Sequence, residues 1–243
     1  MKILCIIPIF NEDKNLKFLL DDIKTFQEKK NNSNVKFLII NNNSKDKSLE
    51  ILKSYNINFI NLRYNKGIGY ALLLGLKLAK KNNFDLLIHM AGNYKMSPFD
   101  INTMLIPILL DKANFVNGTR FIEESNYKNN PLFRKISIKI LSLFISLLFN
   151  TKVTDATCGF RVFYVNQFYK YFEYFNKKKF YTYGYEYYSY GKVLISKNIL
   201  SCEASIKMNY ISKKKYSKIR PIIDWIPIIL GYLKARYDNH KLF

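Results

Sequence analysis

Residues 2–12 read KILCIIPIFNE, an almost continuous apolar run that meets a proline at Pro8 and turns polar at Asn11. Such a run is typical of a parallel strand that is buried on both faces. A second run of the same kind, Val35 to Ile40, comes after residues 14–28, which repeat leucine, isoleucine and phenylalanine at helical spacing. A strand, a helix and a second strand in this order predict that the chain opens as an α/β fold.

The alternation of strand and helix continues through about half of the chain. Further strands are predicted at Ile57 to Leu62, Phe84 to Met90 and Asn114 to Asn117, with one helix at Gly67 to Ala79 and another that starts at Pro98. This order predicts a mostly parallel sheet covered by helices on both faces.

Polar residues follow three of the predicted strands. Asn11-Glu12, Asn41 to Asp46 and Ala91 to Lys95 each come directly after an apolar run. Because ligands of parallel α/β sheets bind at the carboxyl ends of the strands, we expect the functional site at this edge.

The charge balance is strongly basic, with 39 Lys and Arg against 18 Asp and Glu and a formal net charge of +21. Nucleic acid, an anionic membrane face and phosphate-bearing substrates are the partners that suit such a charge. The lysines are scattered, so a compositional bias of the coding sequence is an equally open explanation. No nucleic-acid-binding motif accompanies the charge, and we expect no nucleic-acid partner.

The cysteines Cys5, Cys158 and Cys202 lie far apart, and the only histidines are His89 and His240. This pattern excludes a Cys/His zinc site and suits a reducing cytosol better than a disulfide framework. Pro8 and the acidic residues after it do not fit a signal peptide. We therefore expect a cytoplasmic protein.

Two apolar stretches, residues 136–149 and 221–233, mark the second half of the chain. Both are shorter than the roughly 20 residues that span a bilayer. They are interpreted either as helices packed on the core or as interfacial helices, with Lys135, Lys139 and Lys234 beside anionic lipid. Residues 1–220 are predicted to form one domain, and residues 221–243 an amphipathic, basic helical tail on the domain or on a membrane.

An ordered series of motifs covers roughly residues 2–220. It comprises Pro8 to Glu12, Asn41 to Asp46, Asn65 to Ala71 with Gly75, Asn117 to Arg120, and Asp155 to Arg161. In this order the motifs resemble those of family-2 glycosyltransferases, and especially those of the polyprenyl-phosphate (dolichol-phosphate mannosyltransferase-like) sugar transferases. The resemblance implies the GT-A fold, a Rossmann-like α/β architecture, with C-terminal amphipathic helices added.

The resemblance also implies a set of donor-binding residues. Pro8 and Phe10 would shape the pocket of the base, and Glu12 would accept hydrogen bonds from base or ribose. Alternatively, Glu12 stabilises the start of a helix through its dipole. The full donor set comprises Pro8, Phe10, Glu12, Asn42, Asp46, Lys66, Gly69 and Asn93.

The clearest departure from the family is Ala91-Gly92-Asn93, which stands where Asp-x-Asp usually holds Mg²⁺ or Mn²⁺ against the donor diphosphate. Asn93 offers one neutral oxygen and the Ala91 side chain none, so the predicted metal site is weak or absent. Lys95 is the nearest cation that could replace the metal.

Arg120, Arg134 and Lys218 match positions that hold acceptor phosphate in the family, a role that suits charge-assisted hydrogen bonds. Asp155 and Glu186 match carboxylates near the donor sugar. An anionic lipid phosphate needs no general base, whereas a sugar hydroxyl would need one, and the sequence leaves open which of the two carboxylates would serve. Lys95, Asp155 and Glu186 are thus the candidate catalytic residues.

The resemblance implies transfer of a hexose, with inversion, from a nucleotide-sugar to polyprenyl phosphate or a related cell-surface glycan acceptor. We expect the enzyme to be peripheral on the inner face of the cell membrane. Two alternatives remain: a soluble transferase that acts on a sugar hydroxyl, and an inactive homologue that binds nucleotide or lipid phosphate.

Overall fold

A computed structural model of the chain describes residues 1–122, 132–208, 225–238 and 242–243. Its strands are β1 (Ile3–Ile9), β2 (Val35–Asn41), β3 (Phe59–Asn61), β4 (Leu86–His89), β5 (Phe115–Thr119), β6 (Arg161–Tyr164) and β7 (Ser201–Ser205). Its α-helices are α1 (Asp13–Glu28), α2 (Ser48–Ser54), α3 (Ile68–Lys81), α4 (Ile101–Leu109), α5 (Leu132–Phe149), α6 (Val165–Tyr169), α7 (Phe172–Phe175), α8 (Gly184–Ile195) and α9 (Trp225–Tyr237).

The strands within the described ranges form one sheet in the order β3-β2-β1-β4-β6-β5-β7. All neighbours are parallel except β6, which runs antiparallel to both β4 and β5. The predicted mostly parallel α/β fold is therefore confirmed, and so are the five strands predicted in the first half. The sequence analysis did not identify β6 or β7, which complete the sheet beyond β4.

The central strand β1 is buried on both faces, which explains its unbroken apolar sequence. Leu4 and Ile6 belong to the apolar layer that includes α3, whereas Ile3, Cys5 and Ile7 belong to the layer that includes α1 and α4. Gly75 of α3 lets the helix lie close to β1, because a Cβ at this position would come 2.5 Å from Cγ1 of Ile6.

Helix α5 has two apolar faces with different surroundings. One face is buried and carries Ile138, Ser142, Ile145 and Phe149. The other face is exposed and carries Leu132, Phe133, Ile136, Ile140, Leu143, Phe144 and Leu147, which we call the α5 apolar face. Residues 136–149 were interpreted either as a helix packed on the core or as an interfacial helix. Helix α5 has a buried face that suits the first interpretation and an exposed apolar face that suits the second. None of the helices in the described ranges combines the length and hydropathy needed to cross a bilayer.

Helix α9 packs on the domain, mainly against α8. The hydroxyl of Tyr232 donates to the carbonyl oxygen of Ala156 at 2.6 Å. Beyond the helix, the carboxylate of Asp238 accepts hydrogen bonds from the hydroxyls of Tyr174 and Tyr188. The proposed boundary at residue 220 and the first residues of the apolar stretch 221–233 lie outside the described residues.

His89, at the end of β4, is buried beside Arg161 of β6. Burial, and then the positive charge of Arg161, lower the pKa of His89 to about 3. A histidine in the unfolded chain titrates near about 6.5. Acid therefore protonates the unfolded state first, and the stability that His89 contributes is lost as the pH falls below about 6.5 towards 3.

We predict that replacement of His89 by leucine reduces the acid sensitivity of the fold. Between pH 7.5 and pH 5, the wild type should lose about 2 kcal/mol more unfolding free energy than His89→Leu, at about 1.4 kcal/mol per pKa unit. Urea unfolding at both pH values measures this difference. Equal losses for the two proteins would show that His89 does not carry the effect.

Candidate functional site

A cavity of about 480 Å³ lies at the carboxyl ends of the parallel strands, where the sequence predicted the site. It is lined by most of the residues singled out from the sequence: Pro8, Phe10, Glu12, Asn42, Asn93, Lys95, Arg120, Arg134 and Glu186. Asp46, Lys66, Gly69 and Asp155 are not among its lining residues, and Lys218 lies outside the described part of the chain.

Asp46 stabilises the turn after β1 through hydrogen bonds and does not line the cavity. One carboxylate oxygen of Asp46 accepts from the backbone N–H of Asp13 at 3.0 Å, and the other accepts from that of Ser48. Burial acts to raise the pKa of Asp46, but the hydrogen bonds from Ser48 and Asp13 lower it overall. In contrast to the predicted donor contact, the geometry makes Asp46 a support for the Pro8–Glu12 turn.

The asparagines after β2 are engaged in a hydrogen-bond network that aspartates could not make. The amide nitrogen of Asn42 donates to Asn65, and its oxygen accepts from the backbone N–H of Lys66, both at 2.9 Å. Asn41 similarly donates to Asn61 and accepts from Ser44. An amide can donate and accept, whereas a carboxylate only accepts. The exchange of Asp for Asn therefore ties β2 to the loop before α3.

The glycine motif at the start of α3 allows close chain packing, and of its two glycines Gly67 lines the cavity whereas Gly69 does not. A Cβ on Gly69 would collide with the carbonyl oxygens of Phe180 and Thr182, and Gly67 has a φ of 90° and meets Tyr181 in the same way. The side chain of Lys66 is exposed, with its Nζ 4.5 Å from the ring centroid of Tyr70. The donor-binding roles predicted for Gly69 and Lys66 thus lack a cavity contact.

The residues at the expected metal position do not fit a metal ion. Ala91 supplies no side-chain oxygen, and Oδ1 of Asn93 accepts from the backbone N–H of Lys95 at 3.2 Å. Within the described ranges, no cluster of three or more His, Cys, Asp or Glu side chains could hold one. Divalent magnesium and manganese favour sites with carboxylate oxygens, which this segment lacks.

Lys95 brings a basic side chain to the cavity in the same segment. Burial, and then the like charges of Arg134 and Arg120, lower the pKa of Lys95 from 10.5 to about 7, against the raising effect of Glu12. Three basic side chains therefore share one cavity wall, and an anion bound among them would relieve their mutual repulsion.

Arg120 is held in the cavity wall by Asp155. Nε of Arg120 donates to Oδ2 of Asp155 at 2.6 Å and Nη2 donates to Oδ1 at 2.7 Å, which is a two-pronged ion pair. Nη2 also donates to the hydroxyl of Thr157. Asp155 is fully buried and lies behind Arg120. Asp155 is therefore placed to orient Arg120, and it is not placed to act as a base in contact with the substrate.

Glu186, near the start of α8, is the only one of the two candidate bases that lines the cavity. Its Oε1 lies 3.9 Å from Nη1 of Arg161. Burial raises the pKa of Glu186, and the charge of Arg161 opposes this increase. A Cβ on Gly159 would come 3.0 Å from Oε1 of Glu186, so the glycine gives this carboxylate its space.

Several cavity residues were missed by the sequence analysis, among them His89, Thr157, Gly159, Tyr183 and Tyr187. Thr157 and Gly159 lie inside the Asp155 to Arg161 motif, and the two tyrosines lie within one helical turn of Glu186. Their closeness in sequence to a recognised motif residue could therefore have indicated these four residues as candidates for the site. Nothing in the sequence around His89 separates it from an ordinary buried strand residue.

Solved structures resemble the whole chain in fold. Glucosyl-3-phosphoglycerate synthase from Mycobacterium tuberculosis, in complex with UDP, matches with a TM-score of 0.69 at 12% identity, over 97% of this chain and 80% of that one. The same synthase with Mn²⁺, UDP and glucosyl-3-phosphoglycerate matches with a TM-score of 0.65 at 13% identity, over 97% and 79%. The fold is therefore that of the GT-A glycosyltransferases.

The sequence itself specifies the family within this class. The pattern described as Glycosyl transferase family 2 matches residues 4–172. The chain belongs to glycosyl transferase family 2, and it is accordingly a glycosyltransferase that uses a nucleotide-sugar donor.

Relatives in the family include enzymes named for a dolichyl-phosphate acceptor. The UDP-N-acetylglucosamine–dolichyl-phosphate N-acetylglucosaminyltransferase of Methanococcus voltae is 28% identical over 65% of this chain and 67% of its own length. The dolichyl-phosphate beta-glucosyltransferase of Dictyostelium discoideum is 26% identical over 65% of this chain. The match spans only 52% of that second relative.

The ion pair between Arg120 and Asp155 supplies a stability prediction. Removal of one partner of a buried pair leaves an uncompensated charge, at a cost of about 3–5 kcal/mol. We predict that Asp155→Asn lowers the unfolding free energy by about 3 kcal/mol, measured by urea denaturation at pH 7. Asp111→Asn, at an exposed position after α4, is the control and should change stability by less than about 0.5 kcal/mol. A stable Asp155→Asn variant would contradict the orienting role.

Proposed function

We propose that the protein transfers a hexosyl unit, with inversion, from a nucleotide-sugar to the phosphate of a polyprenyl phosphate. The observation that carries the proposal is the basic wall of the cavity, to which Lys95, Arg120 and Arg134 contribute. Lys95 follows Ala91-Gly92-Asn93, the segment that stands where the family usually has two aspartates. The relatives from Methanococcus and Dictyostelium, which are named for a dolichyl-phosphate acceptor, support a lipid-phosphate acceptor.

The proposed chemistry uses the negative charge that the acceptor already carries. A phosphate oxygen of the lipid attacks the anomeric carbon from the side opposite the bond to the diphosphate. As the new bond forms, the old C–O bond breaks and its electron pair leaves with the nucleoside diphosphate. Positioning and stabilisation of the departing charge are then the main tasks of the protein, and cationic side chains in a partly buried cavity suit both.

A second candidate is transfer to a sugar hydroxyl, favoured by one specific observation. Glu186 lines the cavity with a raised pKa, which suits a general base that works near neutral pH. This alternative differs from the first in its requirement for the carboxylate. A comparison of acceptors separates the two, because only a hydroxyl acceptor has a proton to lose.

We further propose that the reaction depends weakly, or not at all, on a divalent metal. The structural neighbour from Mycobacterium tuberculosis has been solved with Mn²⁺ and UDP. In this chain the corresponding segment carries Ala91, Asn93 and Lys95, whose chemistry suits a phosphate anion better than a metal. Lys95, with Arg134 nearby, would take over the neutralisation of the diphosphate.

The membrane is the third part of the proposal. The α5 apolar face continues towards α9 through the stacked rings of Phe133 and Trp225, and Ile226 and Leu230 of α9 are exposed as well. Neither helix contains an acidic residue, and basic residues lie in the first half of α5 and in the last turn of α9. An exposed apolar surface on helices that also carry basic residues, on a chain of net charge +21, fits the inner, anionic leaflet of the cell membrane.

We predict that labelled sugar passes from a nucleotide-sugar to polyprenyl phosphate in the presence of EDTA. Lys95→Met should lower kcat by about 100-fold, the usual effect of removing one group that stabilises transition-state charge. Lys77→Met, at an exposed position on α3, is the matched control and should retain wild-type turnover. Thin-layer separation of the labelled lipid measures both.

Three results would contradict parts of the proposal. No transfer to lipid with any donor would refute the polyprenyl-phosphate function, and transfer only to a glycan hydroxyl would support the alternative based on Glu186. Loss of transfer in EDTA would refute the weak metal dependence. Normal turnover of Lys95→Met would remove Lys95 from the site.

We predict that the wild type floats with vesicles that contain phosphatidylglycerol and less so with purely zwitterionic vesicles. Leu143→Lys together with Leu147→Lys should abolish flotation, because charge on the α5 apolar face opposes its insertion. The control is Leu109→Lys with Leu110→Lys, two exposed leucines at the end of α4, on the other apolar layer of the sheet. Equal flotation of both double variants would refute the membrane role of α5.

A further inference from the structure

The segment that carries Lys95 contains a left-handed backbone turn at a bulky residue. Tyr94 has a φ of 58°. In this region the Cβ of an L-residue crowds the following carbonyl oxygen, so glycine and asparagine are preferred there. Elsewhere in the described ranges, the non-glycine residues with positive φ are asparagines and one aspartate, apart from Phe243 at the chain end. The conformation of Tyr94 therefore needs a specific compensating contact.

Two residues of α1 provide that contact. The hydroxyl of Tyr94 donates to Oδ2 of Asp22 at 2.9 Å, and its ring stacks on Phe18 with centroids 5.8 Å apart and planes inclined by 27°. Phe18 and Asp22 are four residues apart and thus share one face of α1. Burial, and then the hydrogen bond to Asp22, raise the pKa of Tyr94 to about 12, so the hydroxyl remains a donor at neutral pH.

The turn sends neighbouring side chains in opposite directions. Tyr94 is directed to α1, while Asn93 and Lys95 line the cavity. Two hydrogen bonds span Tyr94: the N–H of Lys95 donates to Oδ1 of Asn93, and the N–H of Ala91 donates to Sδ of Met96. A right-handed conformation at Tyr94 would redirect the chain on both sides of it.

We propose that Tyr94 is a positioning residue for Lys95: its contacts with Phe18 and Asp22 hold the left-handed turn that directs Lys95 into the cavity. The inference rests on the proposed function, in which Lys95 receives the donor diphosphate. Such a hold is needed because Lys95 lies close to the like charges of Arg120 and Arg134, which favour its departure from the cavity.

Helix α1 also links this turn to the other end of the donor site. The helix begins at Asp13, next to Glu12, and the N–H of Glu12 donates to the hydroxyl of Ser48. The start of α1 thus adjoins the turn that is predicted to contact the base or ribose. The side of the same helix carries Phe18 and Asp22, whose contacts with Tyr94 hold the segment of Lys95.

The test is a double-mutant cycle read out by binding of inorganic diphosphate in calorimetry. Tyr94→Ala removes the contacts with α1 but keeps a Cβ in the left-handed turn. We expect it to weaken diphosphate binding about tenfold in the wild-type background and less than about twofold in the Lys95→Met background. A general structural role of Tyr94 would weaken binding equally in both backgrounds.

Two further variants separate the backbone from the contacts. Tyr94→Phe keeps the stacked ring, and Tyr94→Asn loses the contacts but tolerates the turn. Both should bind diphosphate more tightly than Tyr94→Ala. If Tyr94→Ala does not unfold cooperatively, Asp22→Asn replaces it in the cycle, with a smaller expected loss that again disappears in the Lys95→Met background.

The outcomes distinguish this inference from the proposed function. Equal losses in the two backgrounds, or no loss in either, would overturn the role of Tyr94. A wild type that transfers no sugar but gives the expected cycle would refute the proposed function alone. A wild type with no measurable affinity for diphosphate would overturn the roles of both Lys95 and Tyr94.

Discussion

The burial of β1 between two apolar layers is the constraint on which the remaining structure depends. A strand with apolar side chains on both faces requires helices on both, and α3 on one side and α1 with α4 on the other fulfil this requirement. Polar groups then find room only at the edges of the sheet. At the carboxyl edge, the turns after β1 and β2 satisfy one another through Ser44, Asp46 and Ser48. These two turns contribute Phe10, Glu12 and Asn42 to the wall of the cavity.

The chemical character of the cavity depends on the residues that stand where the family usually has aspartates. Asn41 donates a hydrogen bond to Asn61 and Asn42 donates one to Asn65, which a carboxylate could not do because it only accepts. Next to the expected metal position, Lys95 lines the same cavity as Arg120 and Arg134. Like charges in a partly buried space raise the free energy of the unliganded protein, and a bound polyanion lowers it again. This electrostatic arrangement supports the proposed binding of phosphate groups in the cavity.

The sequence was sufficient for the parts of the fold that depend on local pattern. The first five strands and α1 and α3 follow from apolar runs and helical spacing. Most of these elements are long or buried on both faces, although β3 has only three residues, none of them buried. Strand β6 has four residues and runs antiparallel, so neither length nor alternation indicated it. The pairing of Arg120 with Asp155 spans 35 residues and depends on how β5 meets the loop before β6. Gly69 fitted a phosphate motif, yet its role is the close approach of residues 180–182.

Helix α5 shows why an apolar sequence alone could not decide between core and surface. Its residues are apolar on nearly all sides, and only the packing of Ile138, Ile145 and Phe149 defines which side is buried. The same helix begins beside the cavity, where Arg134 lines the wall while the adjacent Phe133 is exposed on the α5 apolar face. A polyprenyl phosphate joins an anionic group directly to a long hydrocarbon chain. Because an arginine and an apolar surface meet at one helix end, both parts of such an acceptor could be bound without a long path between them.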